Sequence, residues 1–324
     1  MKAQFGETVC YNIQAEKRQL KNECTLLGLV TAGSQLFISV VIVAVSTIAI
    51  ILTQSESALG LLGGLEAQII FSVIAFIPPY LITTWIRFRS FGGIFPVRPV
   101  KAGLLIPLVL AGLSGMLVLN FLMEPYMALL TELGINTDYG SFEIPDGISG
   151  GLLYLFTAAV VPALVEEFAF RGVVLSHLRR YGNTFAILVS SLLFGLVHGN
   201  LVQIPFAFAA GCIMAYIDIL TDSMLPSIII HFLNNAISAS GDLADTYLGE
   251  AGSMWLMTVI FVVCFVAGII SVWLLARKYP YAFRSAGRGN LSTVEAMKAF
   301  VGTAGFWVPV IYFGGEALVL AIGF

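Results

Sequence analysis

The sequence predicts an all-α protein, a polytopic transmembrane helical bundle of about eight spans with a ninth, carboxy-terminal hydrophobic segment. Three observations carry that prediction. Apolar residues make up 58% of the 324 residues and charged ones only 11%, with a mean hydropathy of +0.94. A soluble core of this length has little room for so much apolar surface. The apolar residues also fall into runs of roughly membrane-crossing length. Finally, loops rich in Lys and Arg alternate with acidic ones.

The first run, 36–52, follows Lys17, Arg18 and Lys21. It has no small-residue cleavage site after it and reads as an anchor rather than a removed signal. Runs at 69–85 and 102–123 flank Arg87, Arg89, Arg98 and Lys101. The fourth run, 151–171, leads to Arg179 and Arg180. Runs at 185–197, 202–220, 224–239 and 254–276 follow, the last ending at Arg277, Lys278, Arg284 and Arg288. The alternate loops carry Glu56 and Glu66; then Glu132, Asp138, Glu143 and Asp146; then Asp242, Asp245 and Glu250. Positive loops on one side assign that side, and the amino terminus with it, to the cytoplasm. The tail 300–324 is Gly-rich and carries Glu316, so it spans, re-enters or lies on the surface. The chain divides into a cytoplasmic arm (1–33), accessory spans (34–148), a polar-bearing group of helices (149–240) and a carboxy-terminal span with its tail (241–324). Four cysteines (Cys10, Cys24, Cys212, Cys264) show no CxxC, and Cys212 and Cys264 fall in apolar runs as small hydrophobes. No disulfide or cysteine metal site is expected.

Polar residues interrupt three of the runs: Glu166-Glu167 with Arg171, then His198, then His231 with Asn235. Ionisable groups in hydrocarbon cost several kcal/mol each and by default mark function. Arg180-Tyr181-Gly182-Asn183 reads as a turn between two helices. Glu166 and His198 lie at equal residue counts from Gly182. In an antiparallel hairpin both then sit about 24 Å from the turn. The same count pairs Ala169 with Gly195. His231 and Asn235 are four apart and share a helix face, at a depth close to that pair. Glu167 and Arg171, also four apart, suit a carboxylate–guanidinium pair, leaving Glu166 to face His198. Pro162 removes an amide hydrogen just before the carboxylates and favours a local kink.

Each feature taken singly has a structural reading. The Glu–Arg group can fix packing, and the His and Asn residues, Asn234 included, can join helices by hydrogen bonds. His177 reads as interfacial, and Asp218 and Asp222 as solvated at a helix end. Three polar motifs on neighbouring helices together point to catalysis. A carboxylate with an imidazole can take a proton from water and hand it to a leaving amine. A second histidine with a carboxamide can donate to an oxyanion. No GxSxG elbow is present, so water is the simpler nucleophile. The alternative is zinc through Glu166, His198 and His231. The lack of HExxH and the His231–Asn235 spacing favour chemistry without a metal or other cofactor. Two further classes stay open: an ion-coupled transporter using the same carboxylates, and a non-catalytic immunity or scaffold protein.

At these residues the chain resembles the CAAX protease and bacteriocin-processing family of intramembrane endopeptidases, which includes the type II CAAX prenyl proteases. The family pattern EExxxR, FxxxH, HxxxN is matched by Glu166-Glu167-Phe168-Ala169-Phe170-Arg171, by Phe194-Gly195-Leu196-Val197-His198 and by His231-Phe232-Leu233-Asn234-Asn235, over about residues 150–240. The resemblance implies a membrane protease with Glu166 and His198 as the water-activating pair and His231 and Asn235 as oxyanion donors. It further implies a cavity reached from the cytoplasmic side. The partners it implies are the lipid bilayer and a membrane-associated peptide or protein substrate, not nucleic acid. The compact loops suggest a bacterial cell membrane.

Overall fold

The computed structural model describes residues 2–53, 63–88, 96–137, 143–283 and 289–322, with side chains from residue 13 onward save those of Thr53 and Phe88. Glu56, Arg89, Asp138, Arg284, Arg288 and the Cys10 side chain lie outside the described residues. Nine helices are drawn among those described: α1 (Lys2–Thr53), α2 (Leu65–Arg87), α3 (Ala102–Glu132), α4 (Gly147–Tyr181), α5 (Asn183–Leu196), α6 (Gln203–Thr221), α7 (Leu225–Lys278), α8 (Thr293–Val301) and α9 (Ala304–Ala321). Seven are long and apolar enough to cross a membrane. The all-α membrane bundle read from the sequence is the fold observed.

Two differences from the expected spans have clear causes. α7 contains both the 224–239 and 254–276 runs and breaks at Gly249, whose φ of 72° and ψ of 172° suit essentially only glycine. The chain doubles back there: Ser253 Oγ donates to the Gly241 carbonyl at 3.0 Å, and Gly241 packs against Met257. α5 has 14 residues, about 21 Å, short of the roughly 30 Å hydrocarbon core. It forms a hairpin with α6 whose tip carries His198. The 300–324 tail splits into the end of α8 and the span-length α9, and α8 opens with a Ser292–Glu295 capping box.

The amino-terminal arm joins the core through one face. α1 is one continuous helix, and Leu20, Cys24 and Leu27 in its first half are buried to 1% exposure or less. Their spacing puts them on one face, and that face packs into the bundle. Glu23 is drawn in with it and pairs with Arg180, while Tyr181 Oη donates to Glu23 Oε2 at 3.0 Å.

α4 is the central post. Every residue from Phe168 to Leu175 is buried. The Phe170 ring meets Phe76, Tyr80 and Phe194 edge-on, at 5.9, 6.1 and 5.4 Å between centroids. In lipid such close packing replaces the hydrophobic effect as the force between helices. Small residues serve the same end elsewhere: a Cβ on Gly28 of α1 would collide with the Gly305 backbone of α9. Helix ends on the Arg-rich side are lashed by polar contacts, with Asp222 pairing with Arg98 and, at 2.9 Å, with Arg179.

Candidate active site

α4 delivers Glu166 and Glu167 where its own hydrogen bonding is irregular. Pro162 has no N–H, so the Ala158 carbonyl four residues earlier loses its helical donor. π-helical turns at Phe156–Val160 and Phe168–Leu175 bracket the segment, a form of turn found often at functional sites. α7 takes up the freed carbonyl: Asn235 Nδ2 donates to Ala158 O at 3.2 Å. An unpaired buried carbonyl costs about 1–3 kcal/mol, so this bond fastens α7 to α4 where α4 is weakest.

Behind the site runs a buried polar chain. The Glu167 side chain has no solvent exposure; its Oε2 lies 3.2 Å from Arg171 Nε and its Oε1 2.9 Å from His231 Nδ1. An ionised carboxylate only accepts, so Nδ1 carries the hydrogen and donates. His231 Nε2 is thereby turned toward Glu166 Oε2, 3.9 Å away. The Arg171 guanidinium lies 4.5 Å from the centroid of Phe194, a desolvated cation–π contact of up to about 2 kcal/mol. The Phe194 ring also meets His198 and His231 edge-on at 5.2 and 5.8 Å. Its carbonyl accepts from His198 Nδ1 at 2.9 Å. That bond fixes the His198 tautomer and leaves Nε2 as the free lone pair of the neutral ring.

In front is a cavity of about 140 Å³ whose polar lining is Glu166, His198, His231, Asn234 and Asn235, with Met116, Phe206, Ala207, Ala210 and Met214 among its apolar walls. Glu166 is 16% exposed against none for Glu167, so of the two neighbouring carboxylates one faces open space and the other is sealed. All four residues singled out as catalytic line this one space, and Glu167 and Arg171 stand directly behind it. Glu166 and His198 share the cavity without a direct hydrogen bond, while Glu166 Oε2 lies 3.9 Å from His231 Nε2. Among the described residues, no group of three His, Cys, Asp or Glu side chains is placed to hold a metal ion.

Three sequence expectations change. Asn234, read as a join between helices, instead lines the cavity beside Asn235 and donates to its Oδ1 at 3.2 Å. Asp218 is not solvated but 5% exposed. It caps the start of α7, accepting at Oδ1 from Ser227 N at 3.2 Å, one of the amides a helix leaves unpaired in its first turn. Gly195 faces Ile204 and Phe208 of α6 rather than Ala169, because equal depth does not fix rotation. The sequence reading used Phe194 only as a motif letter. Its four-residue spacing from His198 is the signal for the contact between the two rings.

Fold and site together define a helical membrane protein with a cluster of carboxylates, imidazoles and carboxamides buried between its spans. Residues 148–237 match the family described as Type II CAAX prenyl endopeptidase Rce1-like. Over 90 residues the chain is also 32% identical to the membrane-embedded CAAX protease MroQ of Staphylococcus aureus (strain USA300). That match takes in 26% of this chain and 36% of the relative, so the chain spans little more than a third of its length. No solved structure matches significantly. The resemblance read from the three motifs holds for this segment, which is the part of the chain that carries all the residues of the cavity centre.

Proposed function

We propose that the protein is an intramembrane endopeptidase that hydrolyses peptide bonds of membrane-associated proteins or peptides with a water activated by Glu166 and His198. The observation that supports this best is one cavity into which α4, the α5–α6 tip and α7 present Glu166, His198, His231 and Asn235. The nucleophile is a water held between Glu166 and His198. Glu166 takes its proton, and the hydroxide adds to the scissile carbonyl. The resulting oxyanion needs donors. His231 is held through Nδ1–H by the buried Glu167 carboxylate, and when its ring carries a second proton Nε2–H donates to the oxyanion. Asn235 has two amide hydrogens; one goes to Ala158, and the other serves the oxyanion. The proton on Glu166 then passes to the departing amine as the C–N bond breaks.

On this reading no metal takes part, and the Lys/Arg-rich side with the amino terminus faces the cytoplasm of a bacterial cell. The test is hydrolysis of membrane-inserted peptides by purified protein. Glu166→Gln and His198→Ala should each lose about 10²- to 10⁴-fold in rate, and Asn235→Ala about 10²- to 10³-fold. Undiminished hydrolysis by Glu166→Gln would remove the proposal.

A further inference from the structure

Glu166 and His198 also line a second, larger cavity of about 280 Å³, which His231 does not line, between α1 and α2. Its walls carry Gln35 and Ser39 on α1 and Gln68 and Ser72 on α2. Each pair is four residues apart and so shares one face. The two helices are pinned together by Thr31 Oγ1 and Tyr80 Oη, 2.9 Å apart. Ser39 and Ser72 lie at equal residue counts beyond that contact, about 12 Å toward the acidic side. There Ser39 Oγ also comes within 3.4 Å of Tyr312 Oη on α9. Polar side chains inside spans are costly unless they serve packing or passage. None of the Gln35, Gln68 and Ser72 side chains bonds to another described group, and all three are half-buried.

We infer that this groove binds an extended, uncharged stretch of polypeptide, which it leads to Glu166 and His198. The inference rests on the endopeptidase reading for what happens next. Its physical basis is the state a membrane substrate must adopt. A helical peptide hides its carbonyls in its own hydrogen bonds, and in lipid an unwound backbone has no water to replace them. Carboxamides on facing walls each offer a donor and an acceptor, matching the donor and acceptor of every peptide unit. An acyl chain would gain nothing from them. The groove lies wholly on α1 and α2 apart from its Glu166, Val197 and His198 floor, outside the segment matched to the protease family. It is therefore where this chain sets its own substrate choice.

The test uses the full-length Glu166→Gln protein in lipid nanodiscs. The probe is a mixture of blocked nine-residue peptides randomised over Ala, Val, Leu and Gly with a central benzoylphenylalanine; a photoactivatable phosphatidylcholine serves as the lipid arm. Peptide label should map to α1 and α2 around Ser39 and Ser72. It should fall about tenfold when Gln35→Leu and Gln68→Leu are combined, from the loss of two hydrogen-bonding groups. In protein with Glu166 intact, the same pair should raise KM about tenfold and leave kcat within twofold. Should the pair melt early, Ser39→Val with Ser72→Val reads the same wall. Label absent from the wall, label and KM indifferent to both pairs, or phosphatidylcholine as the dominant adduct there would overturn the inference. Hydrolysis surviving Glu166→Gln would defeat the catalytic reading alone, since the labelling needs no turnover.

Discussion

Glu166 and Glu167 are adjacent in sequence but have opposite surroundings, one opening on a cavity and the other sealed between Arg171 and His231. Removing the charge of each should therefore do different things. Glu167→Gln leaves a buried guanidinium unpaired, which costs about 3–5 kcal/mol and should lower Tm sharply. Glu166→Gln should leave Tm within a degree or two and remove activity; thermal melts beside hydrolysis assays separate the two. Asn235 offers a second check. Asn235→Ala strips the donor from the Ala158 carbonyl and should cost about 1–3 kcal/mol. Adding Pro162→Ala gives the helix its missing N–H back, so the double variant should recover stability but not activity. Additive losses in the double-mutant cycle would contradict this. The Glu167–Arg171 pair could be read from a four-residue spacing, because both partners lie on one helix. The Glu167–His231 bond could not, because it joins helices whose rotation no local pattern records.

At the scale of elements, apolar runs located the helices well, since hydrocarbon thickness imposes a length on them. They failed where a contact, not hydropathy, decides. The burial of the α1 arm depends on Leu20, Cys24 and Leu27 meeting the bundle, although their spacing was visible. Asp218 was misread because a carboxylate near a helix end is solvated unless a neighbouring helix begins there, as α7 does. The capping box before α8 was legible in Ser292-x-x-Glu295 and was overlooked beside the stronger hydropathy signal. Two glycines carry testable consequences. Gly249→Ala forces a side chain into a conformation that costs about 1–3 kcal/mol, so the two arms of α7 should separate and the protein should melt earlier. Gly28→Ala should push α9 away from α1, seen as loss of a Cys cross-link engineered across Ser39 and Tyr312. Persistence of that cross-link would show that the α1–α9 crossing does not depend on the glycine contact.

For the whole molecule, the proposed orientation puts the Lys/Arg-rich helix ends in the cytoplasm. Single Cys substitutions at Arg98 and at Asp245 in intact cells should label from opposite sides, Arg98 only after permeabilisation; the reverse would invert the topology. Chelator treatment of pure protein should leave hydrolysis unchanged, and stoichiometric zinc restoring lost activity would contradict that. The central claim is that one buried cavity activates water through Glu166. It is tested most directly by comparing wild type and Glu166→Gln, purified in the same nanodiscs, for cleavage of a membrane-inserted peptide library read by mass spectrometry. The account predicts discrete cleavage products from wild type and a loss of at least about 10²-fold in Glu166→Gln at unchanged Tm. Equal product from both proteins, or none from folded wild type against any membrane peptide, would contradict it.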